Sequence, residues 1–262
     1  MKNSKVFFIV LAVVALLPMA ACGRTHVKSS DYFVTQPVKQ KLGSFDKISV
    51  IGSVDVEFTV GNTRSMEIYG ADNVIQYVEL SVRNNTLYVN LSNDVNIYGK
   101  TRLTLLVTAP TLTEISVSGS GDVEVLGRCT TLTGIDLTGS GDVEVRNLNV
   151  ASFKATVAGS GDVELNNLTA KKVDLSLTGS GDIEVRGTAD KATYSVKGSG
   201  DIDAEHLVVR ELTASVLGSG DIECYAEESL DATVSGSGEI SYRGNPAKVN
   251  RSGRESSIHR DY

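Results

Sequence analysis

Gly119-Ser120-Gly121-Asp122-Val123-Glu124-Val125 returns along this chain at a nearly fixed interval. GSGD starts again at Gly139, Gly159, Gly179, Gly198 and Gly218, and the series closes as GSGE at Gly236. The spacings are 20, 20, 20, 19, 20 and 18 residues. A period of this length marks a solenoid, in which each turn buries its apolar face only by stacking on its neighbours.

Alignment on the first glycine of each repeat exposes apolar columns. Ile115, Ile135, Ala155, Leu175, Tyr194, Ala214 and Ala232 stand four residues before it. Val117, Leu137, Val157, Leu177, Val196, Val216 and Val234 stand two before. Val123, Val143, Val163, Ile183, Ile202, Ile222 and Ile240 follow four after, and Val125, Val145, Leu165, Val185, Ala204, Cys224 and Tyr242 six after. Alternation of this kind predicts two short strands per coil, one on each side of a GSG corner, with the apolar members inward. The corner calls for glycine because the backbone there needs positive φ or close approach. One- and two-residue deletions fall on the opposite side, at Arg186-Gly187-Thr188 against Asn166-Asn167-Leu168-Thr169. That side reads as a tolerant loop, where Asn167→Val should be mild.

The expected fold is all-β, a right-handed parallel β-helix with coils of about 20 residues over 113–262; the hand follows from the crossover rule. Residues 43–112 are β-rich without the full corner, although Gly52-Ser53-Val54-Asp55-Val56-Glu57 looks like a degenerate copy. They are expected to cap the stack and cover an open strand edge.

Upstream of the head, Lys2 and Lys5 precede an apolar run from Val6 to Leu17, then Pro18-Met19-Ala20-Ala21-Cys22. This pattern describes a secretory signal peptide over 1–21. Small residues before a cysteine resemble a bacterial lipobox, which makes Cys22 the lipidated N-terminus. The alternative is an ordinary cut near Ala21 that leaves a free cysteine. Acyl chains on Cys22 would anchor the protein to a membrane, and 22–42 reads as a tether. Gly23 is not the Asp of an inner-membrane retention signal, so the outer membrane is the expected address in a Gram-negative cell.

At 262 residues and 41% hydrophobic composition the chain can bury a sizeable core. Removal of Lys2 and Lys5 leaves 23 Lys and Arg against 32 Asp and Glu, a formal charge of −9. That balance argues against a nucleic-acid partner. Cys129 and Cys224 lie several coils apart, too far for a disulfide within a stack, and Cys224 falls on a core column.

The concentrated chemical feature is acidic. Asp122, Asp142, Asp162, Asp182, Asp201, Asp221 and Glu239 form one outward column; Glu124, Glu144, Glu164, Glu184, Asp203 and Glu223 form a second. Coils stack at about 4.8 Å, where neighbouring carboxylates repel by about 0.9 kcal/mol in water and several-fold more near a protein surface. Three arrangements relieve this. The Asp carboxylates accept N–H groups of their own corners; the Glu column is solvated or pairs with Arg146 and Arg186; or cations bind between coils. The third makes Asp122, Asp142, Asp162, Asp182, Asp201 and Asp221 the candidate metal ligands. The Ca²⁺-binding β-roll, however, has nine-residue turns and a different glycine spacing.

Parallel β-helices also carry polysaccharide-cleaving enzymes. A glycosidase distinguishes one carboxylate from its partner by environment, whereas here every coil offers nearly the same pair. His26, His206 and His259 are scattered, and the GSG serines follow no nucleophile-elbow spacing. No catalytic residue and no cofactor is assigned. For a glycan platform the repeat has no Trp, and Tyr194 and Tyr242 fall on inward columns; Tyr69, Tyr77, Tyr88 and Tyr98 are either core or a binding surface.

The GSGDVEV corners and the ending Tyr242-Arg243-Gly244-Asn245-Pro246 make residues 43–262 resemble the head GIN domain family of autotransporter adhesins. The resemblance implies a β-helical fold in a bacterial envelope lipoprotein, and it supplies no catalytic residues. Nothing after Gly236 has the pattern of a membrane-spanning barrel. The expected function is that of a non-catalytic, membrane-anchored envelope lipoprotein presenting a rigid surface to a protein or glycan, in the manner of an adhesin. A Ca²⁺-stabilised binding module and a carbohydrate-active enzyme are the alternatives.

Overall fold

The structure, a computed structural model, describes residues 24–261. The signal peptide expected over 1–21 and the expected lipidation site Cys22 lie outside the described residues. The N-terminal part contains β1 (Thr25–Lys28), β2 (Phe33–Pro37), β3 (Lys47–Gly52), β4 (Asp55–Val60), β5 (Ser65–Ala71), β6 (Val78–Arg83), β7 (Thr86–Leu91), β8 (Val95–Tyr98) and β9 (Leu103–Ala109). The repeats supply β10 (Glu114–Gly119), β11 (Val123–Cys129), β12 (Gly134–Gly139), β13 (Val143–Gly159), β14 (Val163–Gly179), β15 (Ile183–Gly198), β16 (Ile202–Gly218) and β17 (Ile222–Gly236). The last turn holds β18 (Ile240–Arg243), β19 (Lys248–Ser252) and β20 (Ile258–Arg260). Short 3-10 turns occur at Ile75–Tyr77 and Glu255–Ser257. The molecule is a β-solenoid of about seven turns.

Successive coils pair in parallel and in register, Val143 with Val163, Val163 with Ile183, and Gly159 with Gly179. The columns read from the sequence are buried: Leu175, Leu177, Ile183 and Val185 are fully inside. Each coil nevertheless has more than two inward segments. In β14, Val163 and Leu165 point inward, then Leu168 and Ala170, then Val173, Leu175 and Leu177. Alternation slips phase by one residue at Asn166-Asn167 and again at Lys171-Lys172, where two consecutive residues face out. A period-two reading started at the GSG corner loses phase at the first slip. The column Leu148, Leu168, Gly187, Leu207 and the column Phe153, Val173, Ala192, Leu212, Leu230 lie beyond that slip, and all but Gly187 are buried.

The supposed back loop is a strand with a tight corner. Register shifts between Leu165 and Leu168 do fall where the sequence places its deletions. Asn167, however, sits in the left-handed region at φ 55°. A Cβ at Gly187, which pairs with Leu168 from the next coil, would lie 1.9 Å from the Leu168 carbonyl oxygen. This corner accommodates a change of length, but Asn167 and Gly187 are each held to residues that suit their backbone.

The front corner uses its two glycines for different reasons. Gly159 has φ 140°, a region that L side chains avoid. Gly161 has no positive φ; a Cβ there would stand 2.0 Å from the carbonyl oxygen of Gly141 in the coil before. The backbones of adjacent corners approach too closely for any side chain. Ser160 and Gly161 N–H groups both donate to the Gly139 carbonyl, at 2.8 and 3.1 Å, and the motif repeats at every corner.

Residues 43–60 are the first coil. β3 pairs with β10 and β4 with β11, which sets Gly52 opposite Gly119 and Glu57 opposite Glu124. Beyond them β7 and β9 add a last parallel layer. Antiparallel β6, β5 and β2 then cover its edges. The cap is thus built by turning the chain back, which is how an edge is closed without another coil.

The tether expected over 22–42 is corrected for the described part. β1 pairs in parallel with β8, and β2 with β5. The Ser29 hydroxyl donates to the Lys100 carbonyl at 2.8 Å, and the Ser30 N–H to Asn73 at 3.0 Å. Val27, Phe33 and Val34 pack on the core. These scattered apolar residues suffice because the cap offers edges whose backbone groups would otherwise lack partners.

Candidate functional site

The two acidic columns run side by side along the faces that follow the GSG corners. The Asp column is a hydrogen-bond ladder. Asp122 Oδ1 accepts the Asp142 N–H at 2.9 Å, Asp142 that of Asp162 at 2.9 Å, and Asp162 that of Asp182 at 2.8 Å. Asp182, Asp201 and Asp221 continue it to the Glu239 N–H. At the other end Asp55, in the degenerate copy, accepts from Asp122 at 3.1 Å. The expected bonds to each Asp's own corner are replaced by bonds to the next coil, because the Ser and Gly N–H groups are already given to a carbonyl of the coil before. Each carboxylate satisfies an N–H that the sharp corner removes from the regular ladder.

The Glu column is partly neutralised. Glu124, Glu144, Glu164, Glu184, Asp203 and Glu223 stand in register. Arg146 reaches both Glu124 and Glu144, the latter at 3.0 Å. Arg186 pairs with Glu184, and Asn166 donates to Glu164 at 2.7 Å. Glu124 and Glu144 raise the Arg146 pKa through their charges. These are half-exposed surface pairs, screened by solvent.

Toward the C-terminal coils the acidic charge is denser than its arginine partners. Burial, then the charges of Asp203 and Glu205, push the Glu223 carboxyl upward. Burial likewise raises Asp55. Asp203, Glu205 and Glu223 bring one ligand atom each within 4.8 Å of the others, the single group of this kind among the described residues. It is not the Asp column that the sequence nominates, and Glu205, in the sequence column beside Arg186, was not singled out. Arg243 occupies part of it by donating to Glu205 at 2.7 Å. Among the described residues the structure groups no three of Asp122, Asp142, Asp162, Asp182, Asp201 and Asp221 as possible metal ligands.

His26 bonds to Asn96, His206 lies 3.2 Å from Glu205, and His259 3.5 Å from Asp261; the three are not brought together. Cys129 and Cys224 are buried and free, and burial pushes the Cys224 thiol up to about 12. Tyr194 is fully inside, its hydroxyl without a hydrogen-bond partner. Tyr69, Tyr77 and Tyr88 are half-buried and Tyr98 is exposed, so none of the four is core. Cavities are open grooves. One of about 600 Å³ is lined by Thr169, Thr188, Lys171, Asp190 and Arg210 together with the apolar Val150, Ala170, Ala189 and Val208.

Comparison with known proteins agrees with this architecture. A structure described as a "putative lipid binding protein" from Parabacteroides distasonis is 27% identical, with a TM-score of 0.77, and covers 91% of this chain and 100% of its own. A "putative adhesin" of the same species is 25% identical at a TM-score of 0.81, covering 90% of this chain and all of its own. A third, a "putative adhesin" from Bacteroides fragilis, is 30% identical at a TM-score of 0.61, covering 86% of this chain and 95% of its own. A search of the curated proteins finds no match. The family model described as "Putative auto-transporter adhesin, head GIN domain" matches residues 44–131 and 123–246, and the chain belongs to that family.

Proposed function

We propose that this protein is a non-catalytic envelope lipoprotein, anchored to a membrane through Cys22, that presents a rigid solenoid as an interaction surface in the manner of an adhesin. The observation that carries the reading is the equivalence of the Asp column from Asp122 to Asp221. Each Asp from Asp122 to Asp221 holds the N–H of its neighbour, so no carboxylate in that column stands apart as an acid, base or nucleophile. General acid–base chemistry needs one group tuned away from another. A uniform rod is suited to display instead. Membership of a family described by adhesin heads supports the same reading.

The anchor is tested by fractionating cells that express Cys22→Ala. Release from the membrane fraction is expected, and unchanged retention would remove the lipoprotein reading. Protease shaving of intact cells then tells whether the head faces outward. A screen for polysaccharide cleavage addresses the enzyme alternative: turnover abolished by one Asp→Asn change would show that one coil differs chemically from the rest.

A further inference from the structure

The C-terminal end of the rod differs from its flanks in both charge and edge. Several cations along the flanks are answered by carboxylates, Arg146 by Glu124 and Glu144, Lys191 by Glu211 at 2.7 Å and Arg210 by Glu228 at 2.9 Å. In the last turn Arg251 donates to the Tyr242 hydroxyl and lies over that ring, 5.5 Å from its centroid. Arg254 donates to the Ser237 carbonyl at 3.2 Å. Both residues are exposed and donate to neutral oxygens, and neither forms an ion pair among the described side chains. Residues 243–261 carry five Lys and Arg, of which Arg243 pairs with Glu205 and Arg260 is also engaged, against two Asp and Glu, in a chain whose formal charge is −7. Asp261 lies 3.5 Å from His259, and Asp231 stands in register with Asn250.

The backbone at this end is equally unanswered. β19 pairs only with β17, and β20 only with β18, among the described residues. No antiparallel return covers them, unlike the strands at the N-terminal cap. An open row of N–H and C=O groups accepts a further strand. A second copy of the same tip would bring like charges together, which disfavours self-pairing.

We propose that the terminal edge formed by β19 and β20 docks an extended, acidic polypeptide segment by strand addition, with Arg251 and Arg254 selecting for carboxylates. An acidic polysaccharide satisfies the charge but not the edge, and this difference makes the idea testable. The proposal deepens the reading of the rod as an interaction surface. It does not depend on the lipid anchor.

The probe is a synthetic peptide of alternating Glu and Thr, which places its carboxylates on one face when extended. It is titrated into the full-length protein in detergent, with the Lys-Thr peptide and polygalacturonate as comparisons. The Glu-Thr peptide should bind, weaken with added salt, and protect the amides of 248–252 and 258–260 from hydrogen exchange. Arg251→Ala with Arg254→Ala should lower its affinity about tenfold. Arg251→Lys with Arg254→Lys, which keeps the charge, should retain most of the binding. The proposal is overturned if the peptide does not bind, if polygalacturonate binds as well with no strand protection, or if the Lys variant loses as much as the Ala variant. Failure here with Cys22-dependent anchoring intact would remove the docking edge alone, because fractionation reads the anchor separately.

Discussion

Gly161 is held to glycine by its neighbour in the preceding coil rather than by its own torsion angles. A methyl group there would meet the Gly141 oxygen at 2.0 Å, and that oxygen belongs to backbone that cannot step aside without moving a whole corner. Gly161→Ala should therefore cost about 2 kcal/mol or more in chemical denaturation, within the range of overpacked cores. Tyr194 presents the opposite case. Its ring fills space beside the small Ala214 and Ala232 of the same column, but its hydroxyl is buried with no partner, and burial raises its pKa well above the ordinary phenol value. Tyr194→Phe keeps the packing and removes an unsatisfied donor, so it should leave stability unchanged or raise it by about 1 kcal/mol. Cys224 is shielded in the same way. Its folded pKa is raised, so its contribution is complete below the ordinary thiol value of 9.0 and is lost as pH rises toward about 12. Native protein should resist thiol alkylation at neutral pH, and a reactive Cys224 would place it outside the core.

At the scale of the coil, the acidic column and the second corner carry the predictions. Asp162 acts through one carboxylate oxygen that accepts the Asp182 N–H. Asp162→Asn keeps an acceptor and removes a repelling charge, so its melting temperature should match or exceed that of the parent. Asp162→Leu strands the N–H and should cost about 1 kcal/mol. A ladder that needed the charge itself would penalise both alike. Asn167→Val places a β-branched residue in the left-handed region and should cost about 1–2 kcal/mol, whereas Asn167→Gly should be nearly neutral. The corner repeat and the columns flanking it were legible because glycine and aspartate recur at fixed offsets from Gly119 onward. The remaining inward segments were not, since the single-residue slips at Asn166-Asn167 and Lys171-Lys172 reverse the sense of in and out. The bonding of the Asp column was half legible: the sequence gives the acceptors, but only the stacking reveals that the donors lie one coil away. β1 and β2 escaped notice because their partners, β8 and β5, are distant in sequence and short.

The whole molecule is a stack whose stability comes from nearest-neighbour interfaces, with its cap at the N-terminal end and its open, basic edge at the other. Running through it are two acidic columns, one bonded into the backbone and one half-paired with arginine. Their residual repulsion should be relieved by any salt, since exposed charges a coil apart lie well within the Debye length at low ionic strength. The central claim is that these columns are scaffolding and not a cation site. The measurement that tests it is calorimetric unfolding in millimolar Ca²⁺ against Na⁺ at matched ionic strength, with a chelator as baseline. The account predicts the same upward shift for both salts. A stabilisation by Ca²⁺ alone of more than about 2.7 kcal/mol, the effect of a native-state ligand at a hundred times its dissociation constant, would contradict it.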